Sequence, residues 1–334
     1  MKFGETFTEY LQGDRKGSLR DCSHVEYKRL KKVLKGCLSC HEESGIVAAS
    51  GAADHRGGDS CRFDSCPICD QLFFTELMKE ASDVSGCFGK RVRHLLNHHI
   101  GSRMHRYKLR LLHCFTDDQY VLLQRGRILM EYITMNAIAI RKILKKYDKV
   151  HGSESGKNFR SRLRAEHIEL LQSPWLMELG AFYLNLDGAN TVEDESDESF
   201  SRFSFHFNAA QPVIRMSLPD SMELEYDLTC AICLDTVFNP YSLSCYHFFC
   251  KLCACSAASV PIFQGLKTAS NKACCPVCRE EGVYASSVPL SELDLLLKKK
   301  CKEYWKERMV AERAEMVKQS KVYWSLQAKY AIGY

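Results

Sequence analysis

The chain of 334 residues has no run of 18 uncharged apolar residues. A membrane-spanning helix needs about that length, so none is expected. The opening stretch MKFGETFTEYLQG has no continuous apolar core and no cleavage site, so a secretory leader is not expected either. The expected setting is the cytoplasm and nucleus. No repeat of fixed period runs along the chain, which argues against solenoids and propellers. The basic stretch IRKILKKYDK lacks interleaved aromatics beyond Tyr147, so no nucleic-acid partner is expected.

What remains is an ordinary globular composition, 46% apolar and 26% charged, long enough for two domains or three. The net charge of +5 hides a division. Residues 1–186 carry 30 Lys/Arg against 22 Asp/Glu, residues 187–229 carry 2 against 10, and residues 230–334 carry 14 against 9. A basic front, an acidic connector and a mildly basic tail suggest separate modules. Eighteen cysteines, in a chain expected to face a reducing compartment, should be reduced and point first to metal ligation.

Helical periodicity dominates the front. EYKRLKKVLKGC carries Leu30, Val33, Leu34 and Cys37 at helical spacing. FFTELMKEASDVSGCFGKRVRHLL and DDQYVLLQRGRILMEYITMNAIAIRKILKKYDKV predict longer helices, and so an all-α bundle with extended arms. The 42–60 stretch is rich in Gly, Ala and Ser and reads as an insertion. GANTVEDESDESFS reads as an acidic linker. RFSFHFN and PVIRMSL read as short strands. From Ser291, SELDLLLKKKCKEYWKERMVAERAEMVKQSKVYW contains no Gly or Pro and predicts one long helix.

Within IRKILKKYDK, Lys142, Lys145, Lys146 and Lys149 fall at i, i+3, i+4 and i+7, on one helical face. Ile133, Ala137, Ile140, Ile143, Leu144 and Tyr147 fall opposite, as a core stripe. Like charges so close repel by a few tenths of a kcal/mol per pair. On composition alone the favoured account is a solvated face, or a patch for nucleic acid or anionic membrane.

Cysteines concentrate between 230 and 278. Cys230-x2-Cys233, Cys245-x-His247-x2-Cys250-x2-Cys253 and Cys275-x2-Cys278 supply eight thiolate or imidazole ligands, enough for two tetrahedral zinc sites. A single His among them excludes a two-Cys, two-His finger. A chance cluster of buried cysteines would not keep eight ligands in register. The x2 spacing leaves Cys255 and Cys274 surplus. A second group, Cys37, Cys40 or His41, Cys66 and Cys69, also has knuckle spacing. It is either a third structural zinc site or a set of reduced cysteines in a loose insertion.

The Cys-x-His-x2-Cys-x2-Cys core resembles the RING domain of ubiquitin ligases. The resemblance implies interleaved sites, with Cys230, Cys233, Cys250 and Cys253 on the first zinc and Cys245, His247, Cys275 and Cys278 on the second. It also implies a ubiquitin-conjugating enzyme and ubiquitin as partners. Ile232 and Pro276 match the conjugating-enzyme contacts. Arg279 matches the linchpin that holds the ubiquitin thioester in an attack-ready pose, with no covalent intermediate on any cysteine. A bulky groove residue is often found four positions after the sixth ligand. Here that position is Ala257, with Val260, Ile262 or Phe263 to fill the groove instead.

The N-terminal stretch, HVEYKRLKKVLK and AIRKILKKYDK resemble the SPX domain, a helical sensor of inositol polyphosphates. That resemblance reverses the reading of the lysine face. It implies a polyanion held by Lys2, Tyr27, Lys31, Lys142, Lys145, Lys146 and Lys149. The expected architecture is an SPX domain at 1–168 with a Cys-rich insertion at 37–69, an acidic linker with short strands at 187–226, an α+β RING at 230–279 and a helix at 291–334. The stretches IRKILKKYDK, LQSPWL, DLTCAICLDTVF and CACSAASV resemble the plant nitrogen-limitation-adaptation, or benzoic-acid-hypersensitive, ubiquitin ligases. This implies phosphate and nitrate homeostasis, membrane phosphate or nitrate transporters as substrates, and action peripherally at the plasma membrane. A non-catalytic, inositol-polyphosphate-responsive zinc scaffold is the alternative.

Overall fold

The computed structural model describes residues 5, 7–10, 19, 21–34, 67–109, 116–151, 154–165, 169–187, 204–218 and 222–332. They fall into two compact units, Met1–Ser173 and Pro174–Tyr334.

The first unit is helical. Residues 27–34 form a short helix. Three longer helices follow: α1 Pro67–Leu109, α2 Thr116–His151 and α3 Ser155–Ala165. Helix α1 buries Phe73, Leu77, Ala81, Val84, Phe88 and Val92, a stripe stepping by four and three residues. Helix α2 answers with Ile133, Ile140, Ile143, Leu144 and Tyr147, the stripe read from the sequence. The Phe73 and Tyr147 rings stack at 5.0 Å, and Phe74 stacks on Phe159 of α3 at 4.8 Å. Asn136 is fully buried, so both ends of its amide need partners. Its Oδ1 accepts from the Val25 N–H at 2.8 Å and its Nδ2 donates to the Tyr132 carbonyl at 2.8 Å. This pins the segment before the 27–34 helix to α2.

Cys22 and Cys87 form a disulfide with Cα atoms 5.8 Å apart. This corrects the expectation that every cysteine is reduced. The two lie 65 residues apart, and only the docking of the 21–26 segment brings them together.

The second unit begins with α4 Pro174–Asp187, then strands β1 Ser204–Asn208, β2 Val213–Leu218 and β3 Met222–Asp227. They form one antiparallel sheet in the order β1-β2-β3. The sequence reading missed β3 because MELEYD is acidic. Its place is set by pairing, with Ile214 opposite Tyr226 and Arg215 bonded to Glu225 at 2.8 Å. A second small sheet, order β5-β4-β6, joins β4 Pro240–Ser242, β5 Phe248–Cys250 and β6 Val288–Pro289. Helix α5 Lys251–Ala257 follows β5 directly. Met177 and Ala181 of α4 share one core with Ile214, Phe249, Leu293, Leu296 and Leu297.

The single helix expected from Ser291 is two helices, α6 Ser291–Lys300 and α7 Lys302–Ile332, separated at Cys301. The Trp305 indole N–H donates to Asp294 Oδ1 at 3.0 Å. Eleven residues of straight helix would put those two backbones about 16 Å apart. The chain must therefore turn at Cys301 to make the bond. The turn also lets the Lys298 ammonium sit 4.7 Å over the Trp305 ring.

Helix α6 lacks a capping side chain on Leu290. Glu178 of α4 caps it from a distance, accepting from the N–H groups of Glu292 at 2.7 Å and Leu293 at 3.0 Å. Burial pushes the Glu178 carboxyl up from 4.5 to about 8, although both N–H donors pull it down. An acid with a higher pKa folded than unfolded holds more protons in the folded state between those values. Stability therefore falls as pH rises from about 4.5 to about 8. All three tryptophans, Trp175, Trp305 and Trp324, lie in this unit. We expect the tryptophan-monitored melting temperature of zinc-saturated protein to fall more between pH 5 and pH 8 in the wild type than in Glu178→Gln. Parallel slopes would remove Glu178 as the cause.

Candidate metal centre and docking surface

Two Cys-x2-Cys stretches fold alike. In the first, the Leu234 N–H returns to the Cys230 carbonyl at 2.8 Å and the Cys230 N–H reaches the Asp235 carbonyl at 2.8 Å. In the second, the Arg279 N–H returns to the Cys275 carbonyl at 2.9 Å and the Cys275 N–H reaches the Glu280 carbonyl at 2.9 Å. Each turn closes on a non-glycine residue with positive φ, +60° at Leu234 and +62° at Arg279. That conformation costs roughly 1 kcal/mol or more, so something in the fold must hold it. Tyr246, between Cys245 and His247, repeats it at +65°.

Strand β5 ends on Cys250, and α5 carries Cys253 one turn later. The result is two quartets, Cys230, Cys233, Cys250 and Cys253, then Cys245, His247, Cys275 and Cys278. Within each, the ligand atoms lie within 4.8 Å of one another. This is the division that the RING resemblance implies. The residues fit zinc by a direct geometric test. Two sulfurs on a tetrahedral ion with bonds of about 2.3 Å stand about 3.8 Å apart. Cys233 Sγ and Cys250 Sγ are 3.8 Å apart. Burial raises the Cys245 and Cys275 thiols, so a cation is needed to hold them as thiolates.

The surplus cysteines separate cleanly. Cys255 is buried, and burial pushes its thiol up to about 11. It is a neutral core residue near pH 7 rather than a nucleophile. Cys274 is exposed and donates to the Lys272 carbonyl at 3.4 Å.

The knuckle tips carry the residues expected to meet a conjugating enzyme. Ile232 is 38% exposed, and Pro276 and Arg279 are exposed. Two further apolar side chains flank them, Leu234 at 77% and Val277 at 49% exposure. The sequence reading named neither, although both sit in or beside a Cys-x2-Cys pair. Ala257 is exposed and small. Among its suggested replacements, Ile262 is excluded because it is buried. Its N–H is taken by Gln319 Oε1 at 3.0 Å. Phe263 is half-buried edge-on against Tyr323 of α7 at 5.4 Å, and Val260 is half-buried.

On the first unit, Lys145 and Lys149 are exposed on α2, and Lys142 and Lys146 are half-buried. Tyr27 and Lys31 stand one turn apart, both half-buried, on the 27–34 helix. Burial raises the Tyr27 hydroxyl, which keeps it a donor. Arg29 of that helix bonds Glu76 of α1 at 2.6 Å, and Phe73, one turn earlier, stacks on Tyr147. Both basic segments therefore meet the same end of α1. Lys2 lies outside the described residues, as do Cys37, Cys40, His41, Cys66 and the Cys69 side chain. No described helix is long and apolar enough to cross a membrane.

Comparison with known proteins agrees with this chemistry. The chain is 60% identical over 338 residues to an Arabidopsis thaliana protein named "Probable E3 ubiquitin-protein ligase BAH1-like", covering 100% of both chains. It is 54% identical over 338 residues to "Probable E3 ubiquitin-protein ligase BAH1-like 1" of Oryza sativa subsp. indica, again covering 100% of both. With "E3 ubiquitin-protein ligase NLA" of Arabidopsis thaliana it shares 42% identity over 349 residues, covering 100% of both. No protein-family model and no solved structure matches the chain. Identity of this order over the full length means that the chain belongs to the NLA/BAH1 family of plant E3 ubiquitin-protein ligases.

Proposed function

We propose that this chain transfers ubiquitin from a conjugating enzyme to substrate lysines through its RING module, under control of an SPX-type polyanion sensor. The carrying observation is the pair of quartets beneath exposed knuckle tips. Zinc, when bound, supplies structural cross-linking and no step of the transfer. Ile232 anchors the conjugating enzyme, with Pro276 beside it. The Arg279 guanidinium, a planar fork of several donors, holds the ubiquitin tail in one pose so that the acceptor amine meets the thioester. The thioester electrons leave on the conjugating-enzyme sulfur, so no cysteine here reacts covalently.

The sensing half rests on the 27–34 helix and the basic stretch of α2. In this reading Lys2, Tyr27, Lys31, Lys142, Lys145, Lys146 and Lys149 bind an inositol polyphosphate. The lysines act as point charges and Tyr27 as a neutral donor. The substrates are membrane phosphate or nitrate transporters, met from the cytoplasm at the plasma membrane, in phosphate homeostasis. The remaining cysteine group, Cys37, His41, Cys66 and Cys69, would hold a third zinc.

Purified protein with ubiquitin, activating enzyme and a panel of conjugating enzymes tests the catalytic half. Autoubiquitination is expected, and its rate is expected to change with inositol hexakisphosphate. Arg279→Ala should slow discharge of the ubiquitin thioester by roughly tenfold or more while both zincs stay bound, because Arg279 is no ligand. Ile232→Ala should weaken capture of the conjugating enzyme by about 1–2 kcal/mol. Full activity in both variants with every conjugating enzyme would leave the zinc module a scaffold.

A further inference from the structure

We propose that Arg308 of α7 braces the first zinc quartet electrostatically, which makes the C-terminal helix a working part of the RING module. The proposal rests on zinc occupying that quartet. Four thiolates around one divalent ion leave two excess negative charges, and a buried excess charge calls for a cation or strong donors. The second quartet replaces one thiolate with an imidazole and carries one excess charge fewer.

Arg308 supplies the cation. Its Nη2 lies 3.9 Å from both Cys233 Sγ and Cys250 Sγ, so one guanidinium nitrogen stands between two ligands. The Phe238 N–H adds a donor to Cys250 Sγ at 3.3 Å. The Arg308 side chain is only 26% exposed, and its other terminal nitrogen is held by Asp235 at 3.4 Å. Its neighbours on the same face of α7 fix the approach. The Tyr304 hydroxyl donates to the Thr236 carbonyl, and Glu312 accepts from Asn239 Nδ2 at 2.8 Å. Residues 304, 308 and 312 stand at i, i+4 and i+8, and all three grip the 233–239 stretch or its cysteine partner. That stretch leaves the knuckle carrying Ile232. Looser zinc there would shift the conjugating-enzyme anchor, so Arg308 is a positioning residue that acts through Cys233 and Cys250.

The test uses full-length protein and Arg308→Gln, Arg308→Lys and Asp235→Asn variants. Zinc per chain is measured first, by elemental analysis. Fewer than two zincs in the wild type would sink the zinc reading itself. Release is then timed with a colorimetric chelator, and the quartets are told apart by cobalt substitution, since all-sulfur and sulfur–nitrogen sites absorb differently. Arg308→Gln is expected to speed release from the all-sulfur site about tenfold and to move its thiolate-to-cobalt charge-transfer bands. The sulfur–nitrogen site should be unchanged. Arg308→Lys, which keeps the charge, should fall between wild type and Gln. Asp235→Asn should stay near wild type. A release rate from the all-sulfur site that is the same in wild type and both Arg308 variants would overturn the proposal. So would an Asp235→Asn effect as large as that of Arg308→Gln, because the ion pair and not the thiolate contact would then be responsible. If Arg308→Gln fails to fold, the Lys variant and its band shift decide the matter.

Discussion

Stripping divalent metal from the protein is expected to unfold the second unit while the helical first unit keeps its structure. The quartets cross-link segments that are far apart in the sequence. Cys230 and Cys233 precede β4, Cys245 and His247 sit in the β4–β5 turn, Cys250 and Cys253 span the β5–α5 junction, and Cys275 and Cys278 lie past α5. A structural zinc contributes on the order of 10–16 kcal/mol at pH 7. A whole domain is stable by only about 5–15 kcal/mol. Loss of either ion is therefore expected to exceed what the shared core, from Met177 through Phe249 and Tyr284 to Leu297, can offset. The readout is favourable because all three tryptophans belong to this unit. A chelator titration should shift tryptophan emission to the red, with most far-ultraviolet helix signal retained. Elemental analysis should give two zincs per chain, or three if Cys37, His41, Cys66 and Cys69 also ligate. A value below two, or unchanged tryptophan emission after complete metal removal, would contradict the assignment. Cys245→Ala should mimic the chelator, whereas Cys255→Ala, which removes no ligand, should only leave a small cavity costing about 1 kcal/mol.

Replacing Lys142, Lys145 and Lys146 together by Ala is expected to reduce inositol hexakisphosphate binding by more than a hundredfold. Each exposed lysine–phosphate contact is screened by water and salt, and contributes about 1 kcal/mol. Three lost contacts sum to about 3 kcal/mol, and 1.4 kcal/mol is tenfold in affinity. Affinity for one dense anion should also fall steeply with ionic strength, because many charges act together. The fold should survive. The buried face of this part of α2 is Ile140, Ile143, Leu144 and Tyr147, and none of these changes. Lys145 is exposed, while Lys142 and Lys146 are half-buried with packed stems, so a modest loss of melting temperature is expected. Calorimetry across a salt series and a thermal melt check both statements. Unchanged affinity in the triple variant would assign the lysine face to another role. A collapsed first unit would mean that the half-buried stems matter more than the charges.

Several parts of this protein were legible in the amino-acid order alone, and they share a cause. Six of the eight zinc ligands come as Cys-x2-Cys pairs, and at Cys230 and Cys275 that spacing is closed by the same pair of turn hydrogen bonds. The lysine face and its opposing stripe follow from the 3.6-residue period of one helix. Interactions of that range write themselves into sequence as intervals. Long-range choices left no interval to read. The disulfide between Cys22 and Cys87 spans 65 residues, and the Glu178 cap on α6 spans 114. Strand β3 is acidic and exists because β2 pairs with it. The break at Cys301 has no Gly or Pro to announce it. It arises because Trp305 bonds Asp294 and Tyr304 bonds Thr236 on the module behind it. For the same reason the grip of Arg308 on the first quartet could not be read in advance. Its thiolate partners lie 58 and 75 residues away, and only tertiary packing decides which charged side chain of an exposed helix meets them.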